Sequence, residues 1–170
     1  SLQWTAMYNG PNNGTDIITD MDFYSITGDV YVTGVSDSTQ PFNFVTIKYS
    51  CSGTELWRSR YVGPLFQDYP NAIKYDPINN AVYVAGRSRG LSTQNDWLTI
   101  RYNATTGDTV WTRRYNGTHS GNDEVVDIDV DQTGNLYVIG DVLEACNSIL
   151  NAKIIKYDSN GAEVWSKTIS

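Results

Sequence analysis

The side chains best placed to do chemistry in this chain are aspartates. Asp127, Asp129 and Asp131 alternate along one stretch, and Asp20 and Asp22 echo the pattern near the start. Carboxylates at every second position share a face of an extended strand, and Ca²⁺ takes roughly six to eight oxygen ligands. The trio is therefore a candidate calcium site. Against it, Gly134 stands in the wrong place for an EF-hand loop, Ile128 and Val130 between the acids are strand residues, and a related stretch carries Ala72 and Lys74 instead. Hydrogen-bonded or solvated aspartates are the structural alternative. His119, the single histidine, lies in a turn-rich loop between Gly117 and Gly121 and has no nucleophile motif to serve as a base for. Trp97 could stack on a sugar or simply pack. Arg58, Arg60, Arg113 and Arg114 could form a basic edge for an acidic sugar or be solvated charge. There is no Gly-x-Ser-x-Gly, phosphate loop or zinc spacing. The sequence thus predicts no catalytic residue, no cofactor-binding residue and no enzyme.

Composition narrows the partners. The net charge of −7 excludes nucleic acid, which needs a basic patch to neutralise phosphates. No apolar run approaches the roughly 20 residues of a membrane helix, and the chain opens without a signal-peptide pattern, so any targeting segment lies outside these residues. Cys51 and Cys146 are too few for a disulfide scaffold and read as two thiols or one incidental bridge. Asn13, Asn103 and Asn116 are glycosylation sequons, which Asn-rich turns also produce by chance. An apolar share of 40% suits a folded chain, and 12 Tyr and 5 Trp suit strands.

The elements that must hold these residues come from a repeat. Trp4, Trp57, Trp111 and Trp165 are 53, 54 and 54 residues apart. The first three are followed at the fourth position by Tyr8, Tyr61 and Tyr115, and then by Gly10, Gly63 and Gly117. Further segments recur in fixed order. One starts at Asp16, Asp68 and Asp123. Another is the Tyr-Val stretch ending in Gly34, Gly86 and Gly140. A third ends in Tyr49, Tyr102 and Tyr157 and leads to Gly53, Gly107 and Gly161. Each segment is short, β-branched and aromatic, and each is bounded by turn residues, so one unit reads as four antiparallel strands. The glycines before the Trp strand suit a hairpin turn with φ > 0. Those closing the Tyr-Val strand suit a bend or a close backbone approach.

A lone four-stranded sheet cannot bury both faces, so the copies are expected to pack face to face as β-propeller blades. A solenoid would need shorter coils, and an up-and-down barrel would not require the same aromatic pair on every fourth strand. The expected fold is all-β, with an overhanging outer strand over 1–10 and blades over 11–63, 64–117 and 118–170. Only the segment 142–152 breaks the pattern, since Leu143, Cys146, Asn147 and Leu150 have the spacing of a short helical turn.

The string Trp-x-x-x-Tyr-Asn-Gly, then Asp, then Gly-Asn-x-Tyr-Val-x-Gly, then Thr-Ile-Lys-Tyr-Asp leading to Gly and Trp resembles the SBBP β-propeller repeat of bacterial and archaeal extracellular proteins. The resemblance runs over essentially the whole chain. It is closest at Asp131 to Tyr137 and departs at Asn79, Asn80 and Ala81 and in the loop 141–151. It implies a propeller in a secreted or cell-surface setting and supplies no catalytic residues.

Counting strands gives four outer ones but three of every other kind. Three blades also fall short of the roughly four to eight of a ring. The chain is thus expected to be part of a longer array or a protomer completed by association, as a six-bladed dimer or as a filament in which the Trp4 strand augments a neighbour. The functional expectation is a non-enzymatic extracellular structural or adhesive module. The alternatives are a carbohydrate- or protein-binding propeller, whose loops after the Tyr-Val strand hold the ligand, and part of a larger secreted hydrolase or lyase.

Overall fold

The computed structural model describes residues 3–11, 13–36, 42–65, 67–144 and 149–169. Among them are twelve strands and no helix. These are β1 (Asp16–Tyr24), β2 (Asp29–Ser36), β3 (Asn43–Tyr49), β4 (Glu55–Tyr61), β5 (Asp68–Asp76), β6 (Ala81–Arg89), β7 (Asn95–Asn103), β8 (Thr109–Tyr115), β9 (Glu124–Val130), β10 (Leu136–Leu143), β11 (Leu150–Tyr157) and β12 (Glu163–Ile169). They form three antiparallel four-stranded sheets with the orders β1-β2-β3-β4, β5-β6-β7-β8 and β9-β10-β11-β12. β1 packs beside β5 and β5 beside β9. The sheets are three consecutive propeller-like blades in an arc that does not close.

The repeated residues build each blade in the same way. The first strand of every blade bulges, at Thr19, Asn71 and Val126, because two residues there oppose one on the second strand. The bulge tips the carbonyls of Ile17, Tyr69 and Glu124 over Gly34, Gly86 and Gly140, where a Cβ would collide with the oxygen. Close backbone approach is therefore the reason for glycine at the end of the Tyr-Val stretch. The aspartate that opens each first strand has a matching task. Asp16, Asp68 and Asp123 accept hydrogen bonds from the N–H groups of Gly10, Gly63 and Gly117 at 2.8, 2.6 and 2.6 Å. Each ties the end of a Trp-bearing segment to the strand that follows it. Burial pushes the Asp68 and Asp123 carboxyls above their ordinary value, and the bonds from Ser88 and Gly63, and from Gly117 and Leu143, pull back against it.

The core lies between blades. Trp57 packs with Tyr31 and Phe44 of the first blade against Tyr75, Val84 and Tyr102 of the second. Trp111 and Tyr83 pack against Ile128, Val138 and Tyr157 of the third. A smaller cluster of Val45, Ile47 and Tyr49 sits on the other side of the first blade, covered in part by Trp4 and Tyr8.

One expectation needs correction. Residues 3–10 form no strand. β4, β8 and β12 each pair with a third strand of their own sheet, and the described residues offer this segment no such neighbour. In the segment 142–152, the residues at the two ends of the helical spacing belong to strands, and the turn between them, 145–148, lies outside the described residues. Leu143 and Leu150 face each other across the β10–β11 ladder, and Val142 pairs with Asn151. Cys146 and Asn147 lie outside the described residues, and Cys51 is an exposed free cysteine.

Candidate functional site

The outer-strand tryptophan is the recurrent polar and apolar joint. The Trp57 indole N–H donates to Ala104 O in the β7–β8 turn of the next blade at 3.0 Å, and Trp111 donates to Ser159 O in the β11–β12 turn at 3.0 Å. Each ring lies over the glycine of that turn, Gly107 or Gly161, whose φ is +79° or +76°. An L side chain there would meet both a strained backbone and the indole. Trp4 does the same to the first blade: it donates to Cys51 O at 3.0 Å and covers Gly53. The segment 3–10 therefore occupies the place of a preceding outer strand without being one. A groove of about 220 Å³ remains beside it, lined by Trp4, Tyr8, Ile17, Val32, Val45 and Tyr49.

Trp165 breaks the series. Trp57 and Trp111 are each 8% exposed, whereas Trp165 is 42% exposed and its indole N–H donates to no described residue. It keeps the contact within its own blade, 6.0 Å from the Tyr137 ring, as Trp57 keeps Tyr31 at 6.1 Å and Trp111 keeps Tyr83 at 5.8 Å. What it lacks is a turn to sit on.

The aspartates divide between two tasks. β5 pairs only with β6, so alternate N–H groups on its other edge have no strand to bond. Two of them, Ile73 N–H and Tyr75 N–H, donate to Asp20 Oδ2 at 2.9 Å and Asp22 Oδ2 at 2.8 Å. The other oxygen of each aspartate accepts from the residue after it, Met21 N–H or Phe23 N–H. Asp127 and Asp129 hold the same positions on β9, and their Oδ1 atoms likewise accept from Ile128 N–H and Val130 N–H at 2.8 and 2.9 Å. Asp131 is not with them. Its carboxylate accepts from Asn135 and Thr133 in the following turn and from Lys156 Nζ at 3.0 Å. Those bonds from Asn135, then Thr133 and Lys156, hold it well below the usual carboxylate range. Among the described residues no three His, Cys, Asp or Glu side chains converge as a metal's ligand set, so the trio Asp127, Asp129 and Asp131 is not brought together.

The second seam uses a base instead. Lys74 Nζ reaches Asp129 Oδ1 at 3.3 Å, Asn71 Nδ2 donates to Val125 O at 2.7 Å, and Arg87 pairs with Glu124 at 2.8 Å. Burial pulls the Lys74 ammonium down, but its bond to Asp129 and the fields of Asp22, Asp129 and Asp127 outweigh that and hold it above its ordinary value. The inner strands thus carry acid, base and acid in order.

The remaining candidates are structural. Trp97 is 1% exposed, packs on Tyr115 and donates to Asp141 O, so no sugar reaches it. His119 N–H bonds Leu143 O, and its ring lies by Thr118 Oγ1 at 3.2 Å. Arg58 pairs with Glu55, Arg60 holds Ser36 O, Arg113 holds Gly161 O of the next blade, and Arg114 joins Asp96 to Ser88. They fasten turns and strands rather than forming a bare basic edge. Sequence reasoning missed the Glu144 cluster, in which Tyr115 Oη, Lys153 Nζ and Thr118 Oγ1 converge on the carboxylate at 2.6, 3.1 and 3.3 Å across the second seam. Nothing in the strand periodicity marks Glu144, which stands just past β10.

No protein-family model matches the chain, and no curated protein matches it in sequence. Among solved structures, the chain is similar in fold to the eukaryotic initiation factor, with a TM-score of 0.57 at 9% identity. The match covers 95% of this chain and 34% of that one, so the chain spans about a third of its structural neighbour. At that identity the likeness is one of fold.

Proposed function

We propose that this chain is a non-enzymatic structural repeat module of an extracellular or cell-surface array, and that its working surfaces are the two end faces of the arc. One observation carries the reading: every outer-strand tryptophan with a following blade is received by the turn of that blade, and the segment around Trp4 enters the same kind of receptor on the first blade. The faces that remain, rather than the loops, are where a neighbour would add buried area. The resemblance to SBBP-type repeats supports the secreted setting. Because Trp4 is already folded back onto Gly53, association through the end faces fits the geometry better than donation of that segment to another chain.

The test is complementation. A chain lacking residues 1–10 should leave the receptor on the first blade open, and a synthetic peptide of residues 3–10 should bind there. The expected result is a shift of the Gly53, Val45 and Tyr49 amide signals on titration, lost when the peptide carries Trp4→Ala. No shift with the unaltered peptide would remove the reading.

A further inference from the structure

The open face of the third blade carries two unfilled halves of joints that are complete elsewhere in the molecule. Trp165 has no turn beneath it, and Asp127 and Asp129 each use one carboxylate oxygen on their own strand while the other accepts no hydrogen bond among the described residues. In the first blade the matching oxygens of Asp20 and Asp22 hold the edge of β5. The registers are equivalent, since Asp20 and Asp22 stand opposite Thr33 and Tyr31, and Asp127 and Asp129 opposite Ile139 and Tyr137.

β5 can be held in this way because it has no acid of its own at those positions. Ala72 and Lys74 stand there, so Ile73 N–H and Tyr75 N–H are free to donate outward, and Lys74 adds opposite charge to the seam. β1 could not play that part. Its corresponding N–H groups, on Met21 and Phe23, are already bound by Asp20 and Asp22, and laying β1 against β9 would gather four carboxylates in one seam. Like charges at that range repel by amounts that decide which partner is accepted.

Resting on the end-face reading above, we propose that the open face of the third blade is a selective receptor for one more repeat of the second-blade kind. Such a repeat has a small residue and a base at the positions of Ala72 and Lys74, and a glycine turn to receive Trp165. A second copy of this chain presenting its first blade is the wrong partner. The acids near the channel are a pairing code between blades: an acidic inner strand must be followed by one that is not.

Fusion tests this. A copy of residues 64–117 is appended after Ser170 of the full chain, in its own sequence or with the changes Ala72→Asp and Lys74→Asp made in the copy only. The readouts are the hydrogen-exchange rate of the Trp165 indole N–H and the melting midpoint. The unaltered copy should slow Trp165 exchange at least about tenfold and raise the midpoint by several degrees, a scale set by roughly 2–4 °C per kcal/mol for a chain of this size. The acidic copy should do neither, and Asp127→Ala with Asp129→Ala in the chain should erase most of the difference between the two copies. Equal protection by both copies would overturn the charge code while leaving end-face docking intact. No protection by either would overturn the docking reading itself.

Discussion

The seam between the first two blades and the open face of the third are built from the same parts in opposite states. At the seam, Trp57 is buried on Gly107 and two aspartates cap the free edge of β5. At the open face, Trp165 has no turn beneath it, and the Oδ2 atoms of Asp127 and Asp129 accept no hydrogen bond among the described residues. The contrast shows that the recurrent outer-strand tryptophans and inner-strand aspartates serve junctions between blades rather than single sheets. The second blade, with a neighbour on each side, has both kinds of joint filled, as expected where each repeat's stability depends on its nearest neighbours.

The harshest way to break the comparison is alkaline pH. Burial pushes Tyr83, Tyr102 and Tyr157, all within the two covered seams, up to about 12. The unfolded chain ionises these three tyrosines from about pH 10 while the folded chain keeps their protons, so their ionisation favours unfolding. Their contribution should be whole below about pH 10 and lost as pH rises toward 12. The tyrosinate absorbance of these three residues, isolated by difference from their Tyr→Phe variants, should appear only as the circular dichroism is lost. Tyrosine ionisation complete well before unfolding would show that the seams are not dry.

Next in size are the tryptophans. Trp111→Ala removes a buried ring and leaves Ser159 O without its donor, for a loss of about 3–5 kcal/mol. Trp165→Ala should cost about 1 kcal/mol or less because the ring is already half in water. Urea midpoints of the two variants measure the gap, and equal losses would erase the distinction between seam and open face.

The aspartates give a smaller and more pointed contrast. Asp20→Ala or Asp22→Ala strands an edge N–H at the seam and should cost about 1–3 kcal/mol. Asp127→Ala or Asp129→Ala should stay within about 0.5–1 kcal/mol, since each loses one exposed bond to its own strand and, for Asp129, a surface ion pair to Lys74. Calcium should leave the melting temperature unchanged, and a clear rise on adding it would restore the metal reading of these acids.

Asn80→Gly is the mildest test. Asn80 takes φ +46° where the other blades have Gly28 and Gly134, and its amide bonds Thr105 Oγ1 at 2.8 Å. The relieved backbone and the lost bond should nearly cancel, to within about 0.5 kcal/mol. A larger loss would mean that the side-chain bond, not the turn, shapes this hairpin.

The sequence made the blades legible because their markers act locally. The Trp spacing, the glycine turns and the Tyr-Val-x-Gly stretch are fixed by hairpins and bulges within one sheet, and Gly34, Gly86 and Gly140 follow from that geometry alone. The junctions were not legible. Asp20 bonds the N–H of Ile73, and Trp57 bonds Ala104 O, across packing that no local pattern encodes. Read along the chain, the alternation of these aspartates fits a cation site as well as hydrogen-bonded or solvated carboxylates. Leu143 and Leu150 show the related ambiguity that helical spacing and a hairpin mouth can place the same residues together. Trp4 carried the repeat's marker into a segment that docks like an outer strand without the partner that would make it one.

The central claim, that covered and open faces differ only in the presence of a neighbour, is tested most directly by indole N–H exchange in the intact chain at low concentration, with signals assigned by single Trp→Phe variants. Trp57 and Trp111 should exchange slowly and Trp165 at close to the rate of a free indole. Protection of Trp165 equal to that of Trp111, or exchange of Trp111 as fast as Trp165, would contradict it.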